Sequence, residues 1–200
     1  MSGIILPEKI SQILLTNKMD VFNNNVSTYL PEILNPEMYG SKALEDWITY
    51  YTKHPVKVKL GWPFEEVNTP TLYVAAADAV YDDTTIGFAE RHNLSTDTIA
   101  TEDMFMYLKS AKIIAMTDNY NISLTLAAIA QYFIHQENMW FENYGMYFPK
   151  INYQEIDLLT QFRPQKFFYR TFIVTFACLD IIIISKDDTI RGIDINVEVY

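Results

Sequence analysis

Apolar positions between residues 121 and 145 follow a helical period. Ile122, Leu126, Ile129, Phe133 and Trp140 recur at spacings of three, four and seven, which puts them on one face. Asn121 is a good N-cap type with Asp118 just upstream, and Gly145 suits a left-handed stop. Ala127, Ala128 and Ala130 favour helix and permit close approach to a sheet. The pattern predicts one long helix over 121–145, covering one face of a sheet.

Strand-like periods flank it. Val56, Val58 and Leu60 alternate with Lys57 and Lys59, the period of two expected of a half-buried strand, and Gly61-Trp62-Pro63 ends the run. Pro70 leads a second strand over 71–80, and 107–117 reads as a third that enters the long helix. Residues 82–103 are polar without clear period and read as a long loop, with a turn or short helix near 97–106. Beyond Gly145 the chain reads mostly as strand: 151–160, then 167–179, with 181–184 continuing past a bend or bulge at Asp180. Ile193, Ile195, Val197 and Val199 alternate with Asp194, Asn196 and Glu198 in a final strand.

The first quarter has a different character. Residues 4–16 predict a short amphipathic helix with Pro7 in its first turn and Ile10, Ile13 and Leu14 as its stripe. Asn23-Asn24-Asn25, Pro31, Pro36 and Gly40 punctuate 17–40, which reads as loops with one helical turn near 26–34. Ser41 reads as the N-cap of a helix to about Tyr51, with Leu44, Trp47 and Ile48 on one face. The expected fold class is therefore α+β: an antiparallel or mixed sheet, a long central helix on one face, and N-terminal helices. Residues 1–54 form a helical segment packed on an α+β core at 55–200, a single domain overall.

Composition narrows the function. Half of the 200 residues are apolar, with 14 Tyr, 12 Phe and 3 Trp, enough rings for a core and for a contact surface. The formal net charge of −10 argues against specific nucleic-acid binding and against docking on an anionic membrane. No stretch has the apolar length of a membrane-spanning helix, and no secretory signal is read at the start. Residues 60–90 hold no Lys or Arg, while Lys53, Lys57 and Lys59 form one basic group and Arg163, Lys166 and Arg170 another. This segregation fits charge-complementary contact between copies, and it equally fits ordinary solvated faces. Cys178 lies in an apolar run, where it reads as a small buried hydrophobe rather than a nucleophile, and a single cysteine suits a reducing compartment.

No catalytic signature emerges. His54, His92 and His135 lack a second ligand at helical or hairpin spacing, so neither a metal nor a cofactor is expected. No glycine pattern makes a phosphate cradle or a nucleophile elbow. Asp82-Asp83 is the best of several acidic pairs for acid–base work or a divalent cation, against the plainer reading of a solvated turn.

The order of elements resembles the tail terminator and neck (head–tail joining) proteins of tailed bacteriophages. The residues carrying the resemblance are the run from Lys57 through Gly61-Trp62-Pro63, the Pro70-led strand, Asp118-Asn119 before the helix, and the late strand from Phe168 to Phe176. The resemblance spans about residues 55–180. It implies a virion protein without enzyme activity, assembled in the host cytoplasm. Such a protein forms a ring, typically a hexamer, that caps the tail tube and docks it to the head connector. Its partners would be copies of itself, tail-tube proteins and head-connector proteins. The segment holding Asp82, Asp83, Phe88, Arg91 and His92 is then the candidate interface loop. Other readings stay open: another neck or baseplate component, a small non-viral enzyme using Asp82 and Asp83, or a monomeric ligand-binding or peptide-binding module.

Overall fold

Two strands of unusual length run through the molecule. In the computed structural model, β4 (Thr98–Thr117) pairs antiparallel with β6 (Phe168–Ser185) without a break, from Thr117 opposite Phe168 to Ala100 opposite Ser185. At about 3.3 Å per residue, β4 alone spans roughly 60 Å. The structure describes residues 5–63, 69–77, 87–95, 98–153 and 167–185; at 87–95, 98–107 and 179–185 it describes the course and pairing of the backbone.

The sheet order is β1-β2-β4-β6-β5, with β1 (Lys57–Leu60) parallel to β2 (Thr71–Ala76) and the other pairs antiparallel. Two strands share one side of β4. β2 lies along 111–116, and β3 (Gly87–Ser95) continues the row along 98–106. On the far side, β5 (Met146–Tyr153) pairs with residues 172–178 of β6. The sheet is therefore mixed and the fold is α+β, as the alternation of hydrophobic and polar positions predicts.

Helices cover one face. They are α1 (Pro7–Asn24), α2 (Val26–Ile33), α3 (Pro36–Tyr39), α4 (Ser41–Lys53), α5 (Tyr120–Gln136) and α6 (Asn138–Glu142). Leu15 and Phe22 of α1, Leu126 and Phe133 of α5, and Ile113, Phe172 and Phe176 of the sheet belong to one continuous apolar cluster. The first quarter of the chain thus shares its core with the sheet. On the opposite face Tyr73, Ile114 and Met116 are buried with Trp62, Phe167 and Tyr169 packed around them. Burial on both faces explains why the last third of β4, over 111–116, reads as nearly continuous apolar sequence.

Several sequence expectations are corrected. The single helix over 121–145 is two helices. α5 ends at Gln136, and Glu137 leaves helical geometry while pairing with Lys18 of α1. The change of direction lets Phe141 of α6 reach the core. The cap of α5 is Asn119, whose Oδ1 accepts from the backbone N–H groups of Asn121 and Ile122. α1 runs eight residues past 16, because Met19 and Phe22 extend its buried stripe. The asparagines at its end are helix-ending groups rather than loop. Asn24 and Asn25 donate to the carbonyls of Asp20 and Val21. Residues 26–33 form a full helix, not one turn. Most of the expected loop over 82–103, and the turn near 97–106, is instead the antiparallel pair β3–β4. No bulge interrupts β6 at Asp180, which stands in register opposite Phe105. The expected strands over 154–160 and 193–199 lie outside the described residues.

Tyr51 shows how the N-terminal helices are fastened. It is enclosed against Phe22 at a ring distance of 5.6 Å, and its hydroxyl lies 2.7 Å from Thr125 Oγ1 and 3.2 Å from the Ile122 carbonyl. Burial pushes its phenol well above its ordinary pKa of 10.0, opposed in part by the Thr125 hydrogen bond. The folded chain therefore keeps this proton at a pH where the unfolded chain releases it. That share of stability is complete below about pH 10 and declines above it. Tyr51→Phe is expected to cost about 1–2 kcal/mol at neutral pH. It should also flatten the fall in urea stability between about pH 9 and about pH 11. An unchanged pH profile would show that Tyr51 is not the group responsible.

Candidate interaction surface

The turn from α6 into β5 carries a ladder of aromatic rings from the core to the surface. Phe141 is buried and lies 4.8 Å from Phe176 in the sheet. Trp140 meets Phe141 edge-on at 5.4 Å and lies against Tyr144 at 4.7 Å. Gly145, at φ 73°, turns the chain into β5, and Met146 is buried again. Met139 of α6 remains 80% exposed.

β5 then breaks its ladder. Its register against β6 shifts between Tyr147 and Lys150. Within the shift Phe148 has φ 53°, a left-handed conformation that only this non-glycine residue adopts among the described residues. For an L-residue that conformation costs roughly 1–2 kcal/mol. Pro149 follows and has no N–H to give the ladder. Packing does not offset the cost, because Phe148 is 81% exposed. Tyr153, near the end of the strand, is also mostly exposed and donates to Gln131 Oε1 at 2.8 Å. A strained, solvent-facing aromatic ring has the character of an interface anchor.

The other end of the sheet is different. At β1, Asn23 of α1 acts as a substitute strand. Its Nδ2 donates to the Val56 carbonyl at 2.9 Å, and its Oδ1 accepts from the Val56 N–H at 2.8 Å. The N–H groups of Lys57 and Gly61 point to β2. By alternation the peptide groups of Val58 and Leu60 face away from it. Beside this edge lies a groove of about 300 Å³, walled by Met19, Val56 and Val58 and rimmed by Thr16 and Asp20. Lys57 and Lys59 adjoin it and are exposed, and the Lys59 ammonium lies 6.0 Å from the Tyr73 ring centre on the face opposite the helices.

Two further polar clusters flank the sheet. On the face opposite the helices, Lys112 is buried, with its ammonium 4.8 Å from the Trp62 ring centre, a cation–π contact. The buried Thr171 hydroxyl on the same face has no hydrogen-bond partner among the described residues. At the start of α5, Tyr50 donates to Asp118 at 3.1 Å. Arg170 donates to the Tyr120 hydroxyl at 2.6 Å. Burial raises the Tyr50 phenol above its ordinary value.

Of the candidate interface residues, Phe88, Arg91 and His92 lie on β3, in register with Phe105, Glu102 and Thr101 of β4. Asp82 and Asp83 lie outside the described residues, as do Arg163 and Lys166. Among the described residues, no three His, Cys, Asp or Glu side chains gather as metal ligands. Cys178 is buried, with its thiol 3.9 Å from the Phe176 carbonyl. No helix of the described residues is long and apolar enough to cross a membrane. No protein-family model matches the chain, and no curated protein matches it either.

Sequence reasoning passed over Phe148, Met139 and the groove. The available signal was the density of rings at Trp140, Phe141, Tyr144, Tyr147 and Phe148 followed by a proline. Glycine adopts positive φ without strain but loses more entropy on folding. Phe148→Gly is therefore expected to leave the stability of the isolated chain within about 1 kcal/mol of wild type, with any change toward greater stability. A urea midpoint lowered by the equivalent of about 3 kcal/mol, typical of a buried phenylalanine, would show that the ring packs within its own chain.

Proposed function

We propose that this chain is a structural assembly protein of the tail-terminator and neck type, whose copies close into a ring at the end of a phage tail tube. The observation that carries the reading is the Phe148 ring, 81% exposed and held at positive φ in the bulge of β5. An aromatic ring held outward in solvent is the kind of group that interfaces use as an anchor. The backbone strain at Phe148 makes incidental exposure a poor explanation.

The element order supports the particular class. N-terminal helices come first, then a strand ending in Gly-Trp-Pro, a Pro-led strand, a strand entering a helix through Asp118-Asn119, and a long late strand. In this reading copies of the chain form the ring, and the β3–β4–β6 ribbon, with Phe88, Arg91 and His92 on β3, reaches toward tail-tube or connector proteins. The ring would be part of the virion, and its role requires no reaction.

The native mass of the purified chain by light scattering, with negative-stain images of the same fraction, tests this reading. A closed ring is expected, six-membered if the resemblance holds. A monomer at every concentration up to the solubility limit would overturn it.

A further inference from the structure

Resting on the ring reading, we propose that backbone pairing joins the copies: the open edge of β6 over 179–185 in one copy pairs with the outer edge of β3 in the next. β5 accompanies β6 only as far as Cys178, while β6 continues against β4 to Ser185. β3 lies on the other side of β4 and pairs with β4 alone. Among the described residues, no strand covers either of these edges. Each edge therefore presents a row of peptide N–H and carbonyl groups on which another strand can build a ladder.

The edges of the body are guarded, and those of the ribbon are not. Asn23 occupies the edge of β1 at Val56, and a bulge with Pro149 interrupts β5. Residues 87–95 and 179–185 contain neither proline nor lysine, and both keep an unbroken register with β4. Residues 181–184 are four consecutive isoleucines, the kind of β-branched run that recruits a further strand when its edge is open. A second copy of the chain supplies the partner for both edges at once.

The register makes the two edges fit. β3 runs beside residues 98–106 of β4, and the open part of β6 runs beside 100–106, so the edges stand level on either side of one strand. β3 and β6 are both antiparallel to β4 and hence parallel to each other. A rotation about an axis along the ribbons keeps that direction from copy to copy, so the joint is a parallel pair. Its two edges differ, so the contact is heterologous and continues beyond a dimer. The sheet also narrows, from five strands in the body to three in the ribbon. Copies joined through their ribbons splay their bodies outward, which curves the row and closes it with the ribbons at the narrow rim. β5, the strand that carries Phe148, lies on the same side of β6 as the open edge, toward the same neighbour.

Two measurements test the joint. Arg91 and Ile183 share one row of the ribbon, each in register with Glu102. Arg91→Cys and Ile183→Cys chains are prepared separately, mixed under assembling conditions and treated with a bismaleimide. The wild-type chain, whose one thiol is the buried Cys178, gives the background. The expected product is a covalent dimer of one chain of each kind, with little dimer from either variant alone. Abundant dimer from Ile183→Cys alone would place β6 against β6 about a two-fold axis and overturn the proposal. Hydrogen exchange of the wild-type chain reads the same joint without a substitution. Amides within 87–95 and within 179–185 should slow together, by roughly tenfold or more, between dilute monomer and ring. A ring in which these amides keep their monomer rates, or in which only one of the two edges slows, would overturn the proposal while leaving the ring reading standing. Failure of the wild-type chain to form a ring at all would overturn both.

Discussion

The uninterrupted pairing of β4 with β6 is the constraint on which the rest of the structure depends. Over 111–116 of β4 and the facing start of β6 both faces are covered, by α1 and α5 on one side and by Trp62, Phe167 and Tyr169 on the other. α5 has 17 residues and a length of about 25 Å, so it can cover less than half of β4. Among the described residues, β3 accompanies the far part of β4 on its outer side, along 98–106. A two-strand spine longer than its helical cover produces two different regions: a helix-covered body and a ribbon built from β3, β4 and β6. The ends of the body's sheet are then fixed as β1 and β5.

These two ends are finished in opposite ways. β1 is short, lysine-bearing and partly closed by the amide of Asn23, which imitates a neighbouring strand at Val56. β5 is closed by a bulge and a proline, which block a regular ladder while holding an aromatic side chain outward. Both devices discourage indiscriminate edge-to-edge association. At the β5 end an aromatic ring remains projecting into solvent.

The hydrophobic alternation disclosed most of this framework. The α+β class, the strands at 57–60 and 71–76, and the helical first quarter follow from periodicity and turn chemistry. The errors have physical causes. Asn23, Asn24 and Asn25 resemble a loop in sequence because asparagine competes for backbone hydrogen bonds. Here that competition satisfies helix-end carbonyls and clamps a strand. The region 87–103 mixes polar and apolar residues without a period of two, so it carries no strand signal in sequence although β3 and β4 pair there. Glu137, where α5 breaks, pairs with Lys18, which is 119 positions away along the chain and leaves no local trace in the sequence. The exposed ring at Phe148 is invisible to periodicity, since a phenylalanine in a strand pattern is ordinarily counted as core.

Native-state hydrogen exchange tests the dependence on the β4–β6 pairing most directly. The amides of 111–116 and 172–176, where the two strands pair beneath the helices, should be the last to exchange, later than those of 57–60 and 146–153 at the sheet ends. Exchange of these central amides as fast as the end strands would contradict it.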